Sequence, residues 1–283
     1  MLSEAQRKRV EVVLVGPRNP LNIGAAARAM ANFGFRRLKV VAPYETHWRE
    51  AKSAVQAEEL LQNATRTESL AEAVAECTLV VGTGTLERRK AEQPVVPLPE
   101  LWRLVTEELK RGGRVALVFG SEKRGLTRED LARCHLLAVI PTDERQPSMN
   151  LGQAVAVCLY ELAARINEPE GSMENAKPHP RRKNKDAPCV GHPVLAEKAG
   201  HSQAASVDGD DSKAPATARE LELLAGVVEE TMAAANYSPA AMRNANRHDV
   251  HLLLRRLRLR GRDAERILGL FRRILWRLKH ASK

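Results

Sequence analysis

The chain has 283 residues, of which 43% are hydrophobic, 28% charged and 4% aromatic, and its formal net charge is +10. That length suits one sizeable α/β domain with a smaller appendage, and that composition excludes both wholesale disorder and a mini-protein that depends on covalent staples. With aromatic residues so scarce, Leu, Val, Ile and Ala must build the core.

The chain opens on MLSEAQRKRVEVVLVG, which has basic residues but neither the apolar stretch nor the small-residue cleavage site of a signal peptide. From residue 10 to about 167, short β-branched or Leu-rich runs alternate with Ala-rich segments of helical period. Strands are expected at residues 10–15, 38–41, 79–81, 115–119 and 136–140. Helices are expected between and after them, at 23–33, 49–61, 70–76, 99–110, 127–133 and 151–166. Continuous apolar strands separated by helices predict a parallel sheet covered on both faces, with ligands beyond the carboxyl ends of its strands. No apolar run approaches the ~18 residues of a membrane span, so no membrane is expected and the cytoplasm is the expected compartment. Cys77, Cys134, Cys158 and Cys189 form no CxxC pair, which argues against a disulfide framework or a zinc ribbon.

Residues 168–217 become rich in Pro, Gly, Ser, Ala and charge without an apolar period, and are expected to form a flexible linker. His179, His192 and His201 lie near Cys189 there, but no pair has the spacing of a structural site, so no metal is expected. Helical period returns after Thr217, first through Leu221, Leu224, Val228 and Met232. A second helix runs from about residue 239 through Leu253, Leu254 and Leu257 to near Gly261. Asp263 is the expected N-cap of a third, marked by Ile267, Leu270, Phe271, Ile274 and Leu278. Residues 218–283 thus read as a small all-α extension. Residues 240–283 hold 13 Lys and Arg against 3 Asp and Glu, a net of +10, so the preceding residues are neutral. A charge excess concentrated in this way is the footprint of a polyanion partner, to be weighed against a merely solvated helix face.

Two phosphate-binding patterns fail on single residues. GSEKRGLT, from Gly120 to Thr127, follows a strand and opens a helix as a P-loop does, but Leu126 stands where the phosphate-reaching Lys is needed. Gly82 and Gly84 begin a dinucleotide fingerprint whose third glycine position is Glu87. Three other segments remain at strand ends. They are NIGAAAR from Asn22 to Arg28, FGSEKRGL from Phe119 to Leu126, and Ile140-Pro141 followed by Ser148, Met149, Asn150 and Leu151. Together and in this order they resemble the three motifs of the SpoU/TrmH branch of the SPOUT RNA methyltransferases, over residues 10–167. The basic tail more loosely resembles the carboxyl-terminal extension of a tRNA enzyme of that branch.

The resemblance implies a parallel sheet with a carboxyl-terminal trefoil knot, S-adenosylmethionine as cofactor, a homodimer through the knot region, and methyl transfer to a ribose 2′-hydroxyl. The implied substrate is tRNA at nucleotide 32 of the anticodon loop, with ribosomal RNA, another tRNA position or a non-catalytic RNA-binding role as alternatives. It places the cofactor against Thr83, Gly84, Thr85, Gly120, Ile140, Ser148, Met149 and Asn150. Arg28, Asn22, Glu122, Ser148 and Asn150 become the catalytic set, with Arg28 also holding RNA phosphate. Because Arg stays protonated in proteins, Arg28 is read as a cation at the phosphate and forming alkoxide, and the general base stays open. In the tail, Arg255, Arg256, Arg258, Arg272 and Arg273 are the expected RNA contacts.

Overall fold

The fold is described from a computed structural model, for residues 2–84, 91–164, 214–237, 239 and 242–281. Thr85 and almost all of the expected linker, with His179, Cys189, His192 and His201, lie outside the described residues. After a capped turn of helix, α1 (Glu4–Arg7), the run VEVVLV forms β1 (Val10–Val15). Its apolar residues leave no polar face for solvent, so both faces must be covered. Val10, Val12 and Leu14 enter the larger core cluster, while Val13 enters a second cluster on the other face. Glu11, the one carboxylate in the strand, is buried and tied to Lys39 at 2.7 Å and Arg37 at 3.3 Å.

The chain continues through α2 (Pro20–Asn32), β2 (Arg37–Val41), a single 3-10 turn at Trp48–Glu50, α3 (Glu58–Gln62), β3 (Thr65–Thr67), α4 (Leu70–Ala73) and β4 (Leu79–Thr83). It then forms β5 (Val95–Pro97), α5 (Leu98–Lys110), β6 (Val115–Phe119), α6 (Arg128–Ala132), β7 (Leu136–Val139) and α7 (Leu151–Ala164). Among the described residues the seven strands make one parallel sheet in the order β3-β2-β1-β6-β4-β7-β5.

Residues 49–61 do not form the single helix their composition suggests. Gln56 takes a left-handed backbone, φ 61°, and the Ser53 hydroxyl donates to the Leu21 carbonyl at 2.6 Å, so tertiary contact overrides local propensity. Gly24 in α2 makes this approach possible, because a Cβ there would collide with Ser53 and the Ala54 backbone.

The tail forms α8 (Ala218–Ala234), α9 (Arg243–Leu257) and α10 (Gly261–Ala281). Thr217 and Glu220 make a reciprocal capping box at the start of α8. The next two amides, of Ala218 and Arg219, donate to the carbonyls of Cys77 at 2.8 Å and Ala75 at 3.0 Å, which ties the helix to the end of α4. Ala216, Leu221, Leu224, Ala225, Leu254 and Ala264 form a third small core. α9 starts later than expected and ends where Arg258 turns left-handed, φ 45°. α10 starts at Gly261, two residues before the expected Asp263 cap, and Asp263 lies inside its first turn. Among the described residues, no helix is long and apolar enough to cross a membrane.

Candidate functional site

Parallel strands send all their carboxyl ends to one edge, so the loops after β1, β6, β4 and β7, four neighbours in the sheet, converge there. Between β1 and β6 the order of strand addition reverses, which makes the switch point where ligands bind in open α/β sheets. The loop after β1 ends in Asn19-Pro20, and Asn19 caps α2 by accepting from the Leu21 amide at 2.9 Å. Pro at the first helical position suits this start, since its missing N–H is one the helix would leave unpaired.

Glu122, just after β6, points into that helix start. Its carboxylate accepts from the Arg18 amide at 2.9 Å, the Asn19 amide at 3.1 Å and the Asn22 side-chain amide at 2.8 Å. Asn22 Oδ1 in turn accepts from Asn150 Nδ2 at 2.9 Å, and Asn150 Oδ1 caps α7 by accepting from the Gly152 amide at 2.9 Å. The two ends of this run fix both side-chain amides. An ionised carboxylate can only accept and the backbone amides of α7 can only donate, so Asn22 must turn its nitrogen to Glu122 and its oxygen to Asn150. Burial works to raise the Glu122 pKa, but the hydrogen bonds from Asn22 and the nearby amides outweigh it and leave it below the ordinary carboxylate value.

Other expected site residues are placed differently. Arg28 is exposed on α2, roughly 9 Å along the helix axis from Asn22 at 1.5 Å per residue. It has no hydrogen-bond or ion-pair partner among the described residues. Ser148 is exposed and likewise unpartnered among the described residues, and Met149 is half-buried. The Thr83 hydroxyl donates to the Val118 carbonyl at 2.9 Å, tying β4 to β6. Gly84 is exposed, with open space where a Cβ would stand. Ile140 is half-buried against the main core.

Gly120 is needed for the fold itself. The loop folds back so that Gly125 donates to the Ser121 carbonyl at 2.8 Å, and a Cβ on residue 120 would run into the backbone of Gly125 and Leu126.

In the tail, Arg256, Arg258, Arg272 and Arg273 are exposed. Arg255 departs from expectation: it is 2% exposed and pairs with Glu222 at 3.4 Å, so it is not available to a phosphate. The signal was its spacing, since His251, Leu252, Leu254 and Arg255 make up the buried face of α9. The Arg18 and Asn19 amides were not foreseen as part of the site, although an Asn before a Pro already marks a helix start. Burial pushes the Cys134 and Cys158 thiols up to about 12 and raises Cys77 as well, so none of the three is a poised nucleophile.

These features define a parallel α/β domain whose polar site is assembled at its switch point from the ends of separate strands and helices. The chain belongs to the SpoU rRNA Methylase family, which matches residues 9–160. It is 41% identical over 155 residues to the tRNA (cytidine/uridine/adenosine-2′-O-)-methyltransferase TrmJ of Pseudomonas aeruginosa, covering 54% of this chain and 60% of that one. It is 36% identical over 178 residues to the tRNA (cytidine-2′-O-)-methyltransferase TrmJ of Methanocaldococcus jannaschii, covering 59% of this chain and 76% of that one. Among solved structures, TrmJ from Z. mobilis ZM4 superposes with a TM-score of 0.71 at 25% identity, over 93% of this chain and 98% of that chain.

Proposed function

We propose that the protein is an S-adenosylmethionine-dependent methyltransferase acting on a ribose 2′-hydroxyl of tRNA, at nucleotide 32 of the anticodon loop, as a cytoplasmic homodimer. The observation that carries this reading is the hydrogen-bonded run Asn150, Asn22, Glu122, which joins residues from all three family-like segments at one sheet edge. The relatives named for 2′-O-methylation of tRNA support the choice of substrate.

The strand ends fit the cofactor. Gly84 leaves open space at the end of β4, Ile140 offers an apolar wall just after β7, and Gly120 directly follows β6, the strand between β1 and β4. Thr83, Thr85 and the turn from Ser148 to Asn150 complete the proposed contacts. When bound, S-adenosylmethionine supplies a methyl group on a sulfonium. β7 lies between β4 and β5, two strands that precede it in the chain, which supports the proposed knot in the segment that follows.

A ribose hydroxyl is a weak nucleophile, so most of the task is to position it and to stabilise the charge it develops. Asn22 and Asn150 each keep one further amide hydrogen beyond the run, and these are the donors that orient the ribose. Glu122 is a positioning residue that acts through Asn22. Its lowered pKa makes it a weaker base, so proton removal is not assigned to it. The exposed Arg28 guanidinium holds the phosphate and the forming alkoxide as a permanent cation, and Ser148 hydrogen-bonds the nucleotide. The helical extension adds phosphate contacts through Arg256, Arg258, Arg272 and Arg273.

The test uses labelled cofactor and two tRNA transcripts that differ only in a 2′-deoxy sugar at nucleotide 32. Transfer to the all-ribose transcript and none to the deoxy one is expected. Equal transfer to both would remove nucleotide 32 as the target.

A further inference from the structure

We infer that the outward face of α10 is a stacking platform for an unpaired RNA nucleotide, with Trp276 as its ring surface and Arg272, Arg273 and Arg277 as its phosphate contacts. This deepens the reading of the protein as an RNA methyltransferase and rests on it. The periodicity of the helix separates two faces. Ala264, Ile267, Leu268 and Leu275 turn inward and pack with the tail core or are buried. The opposite face carries Arg262, Arg266, Arg273, Trp276, Arg277 and His280, all exposed.

Trp276 is 58% exposed, although Leu275, its neighbour in the chain, is buried. Its ring is held in place. His280 stacks on it with centroids 4.5 Å apart and planes 22° from parallel. The His280 ring is itself fixed, because its Nδ1 lies 2.8 Å from the Trp276 carbonyl, and a carbonyl only accepts, so that nitrogen carries the proton. One face of the indole is therefore covered by imidazole. Around it Arg272, Arg273, Trp276 and Arg277 line a shallow depression of about 300 Å³.

The charge pattern selects the occupant. Among the described residues none of Arg272, Arg273 and Arg277 has a carboxylate partner, and no Asp or Glu follows Glu265 in the chain. Crowded cations with no counter-charge repel one another and a second copy of the same face, and a polyanion relieves that repulsion. An anionic membrane would need a continuous apolar face to insert. Leu270 and Ile274 are exposed on α10 but lie at helical spacing beside Arg266, Arg273 and Arg277, while Ala264, Ile267 and Leu268 pack with the tail core and Leu275 is buried. An exposed ring among arginines instead matches single-stranded RNA, whose unstacked bases rest on aromatic side chains while Arg tracks the phosphates. Base-paired RNA keeps its ring faces inside the helix and would use the arginines alone.

The experiment uses the full chain with three probes, a single-stranded RNA hexanucleotide, an RNA duplex, and vesicles containing phosphatidylserine. Affinity is measured across a salt series for the wild type, Trp276→Ala, Trp276→Phe and the pair Arg273→Gln with Arg277→Gln. Trp276→Ala is expected to weaken hexanucleotide binding roughly 5- to 150-fold, the range that stacking on an aromatic ring accounts for, without changing the salt slope. Trp276→Phe should recover part of that loss, and duplex binding should not respond to either change. The arginine pair should flatten the log–log salt slope by about 1.4, at ~0.7 per single-strand contact. Unchanged hexanucleotide affinity in Trp276→Ala would overturn the platform, as would a tighter response to vesicles than to RNA. Methyl transfer to tRNA by the same preparations keeps the two readings apart. Active protein indifferent to Trp276 rejects only the platform, whereas Trp276-dependent RNA binding without any methyl transfer rejects the enzymatic reading.

Discussion

Replacing Glu122 probes the polar run at its charged end. The carboxylate accepts three hydrogen bonds, from the Arg18 amide, the Asn19 amide and the Asn22 side chain, all between 2.8 and 3.1 Å. Gln has one acceptor oxygen. Its best placement keeps that oxygen on Asn19 and Asn22 and turns its own NH2 toward the Arg18 amide, so one bond is lost and two donors face each other. Hydrogen bonds to charged groups contribute about 1.5–3 kcal/mol, which corresponds to roughly 10- to 150-fold in kcat/KM if the geometry is needed in the transition state. Glu122→Ala also releases Asn22 and should fall toward the upper end of that range. Because both residues act through one run, the double variant Asn22→Ala with Glu122→Ala should lose no more than the worse single variant. The assay is transfer of labelled methyl groups to tRNA at saturating cofactor, with the melting temperature of each variant recorded to set aside loss of fold. Full activity in a folded Glu122→Ala variant, or losses that multiply in the double variant, would refute the assigned linkage.

Arg28→Ala should abolish methyl transfer while leaving cofactor affinity nearly intact, and Arg28→Lys should also be poor because a point-like ammonium does not reproduce a planar two-pronged contact. Calorimetry and saturating-RNA turnover check this, and near-wild-type turnover in either variant counts against the role. Gly120→Ala should lower the melting temperature and disorder the loop that carries Glu122, since the added methyl meets the Gly125 and Leu126 backbone; an unshifted melting curve would contradict that packing. Burial, reinforced by the charges of Arg255 and Arg258, lowers the His135 pKa to about 3, and its neutral Nδ1 accepts from the Val80 amide at 3.1 Å. The folded pKa lies below the unfolded value, so the contribution to stability is complete above about pH 6.5 and is lost as pH falls toward 3. At pH 5 the loss is about 2 kcal/mol from this residue. Denaturant titrations at pH 7 and 5 should show it in the wild type and much less in His135→Asn, and equal losses in both would contradict it.

The central strands were legible because their residues leave no polar face. β1 and β6 run where the apolar segments 10–15 and 115–119 run. The edge strands β3 and β5 were not, because TRT and VVP are three residues long and too short to show a period. The break in residues 49–61 depends on Ser53 and Gly24 meeting in space, which no local pattern records. Asn22, Glu122 and Asn150 stood out as motif residues, but the bond from Asn150 to Asn22 spans 128 positions and became visible only in the fold. Arg255 shows the opposite failure. Beside Arg256 and Arg258 it reads as one more surface cation, and only the helical face it shares with His251, together with Glu222 33 positions away, reveals it as buried.

The reaction proposed for this protein is transfer of a methyl group to a ribose oxygen of tRNA. Purified protein incubated with S-adenosylmethionine and unmodified tRNA, followed by digestion to nucleosides and mass spectrometry, tests it directly. A new 2′-O-methylated nucleoside that requires Arg28 and Asn22 is expected. A product methylated on the base, or no methylated product from folded, cofactor-binding protein, would contradict it.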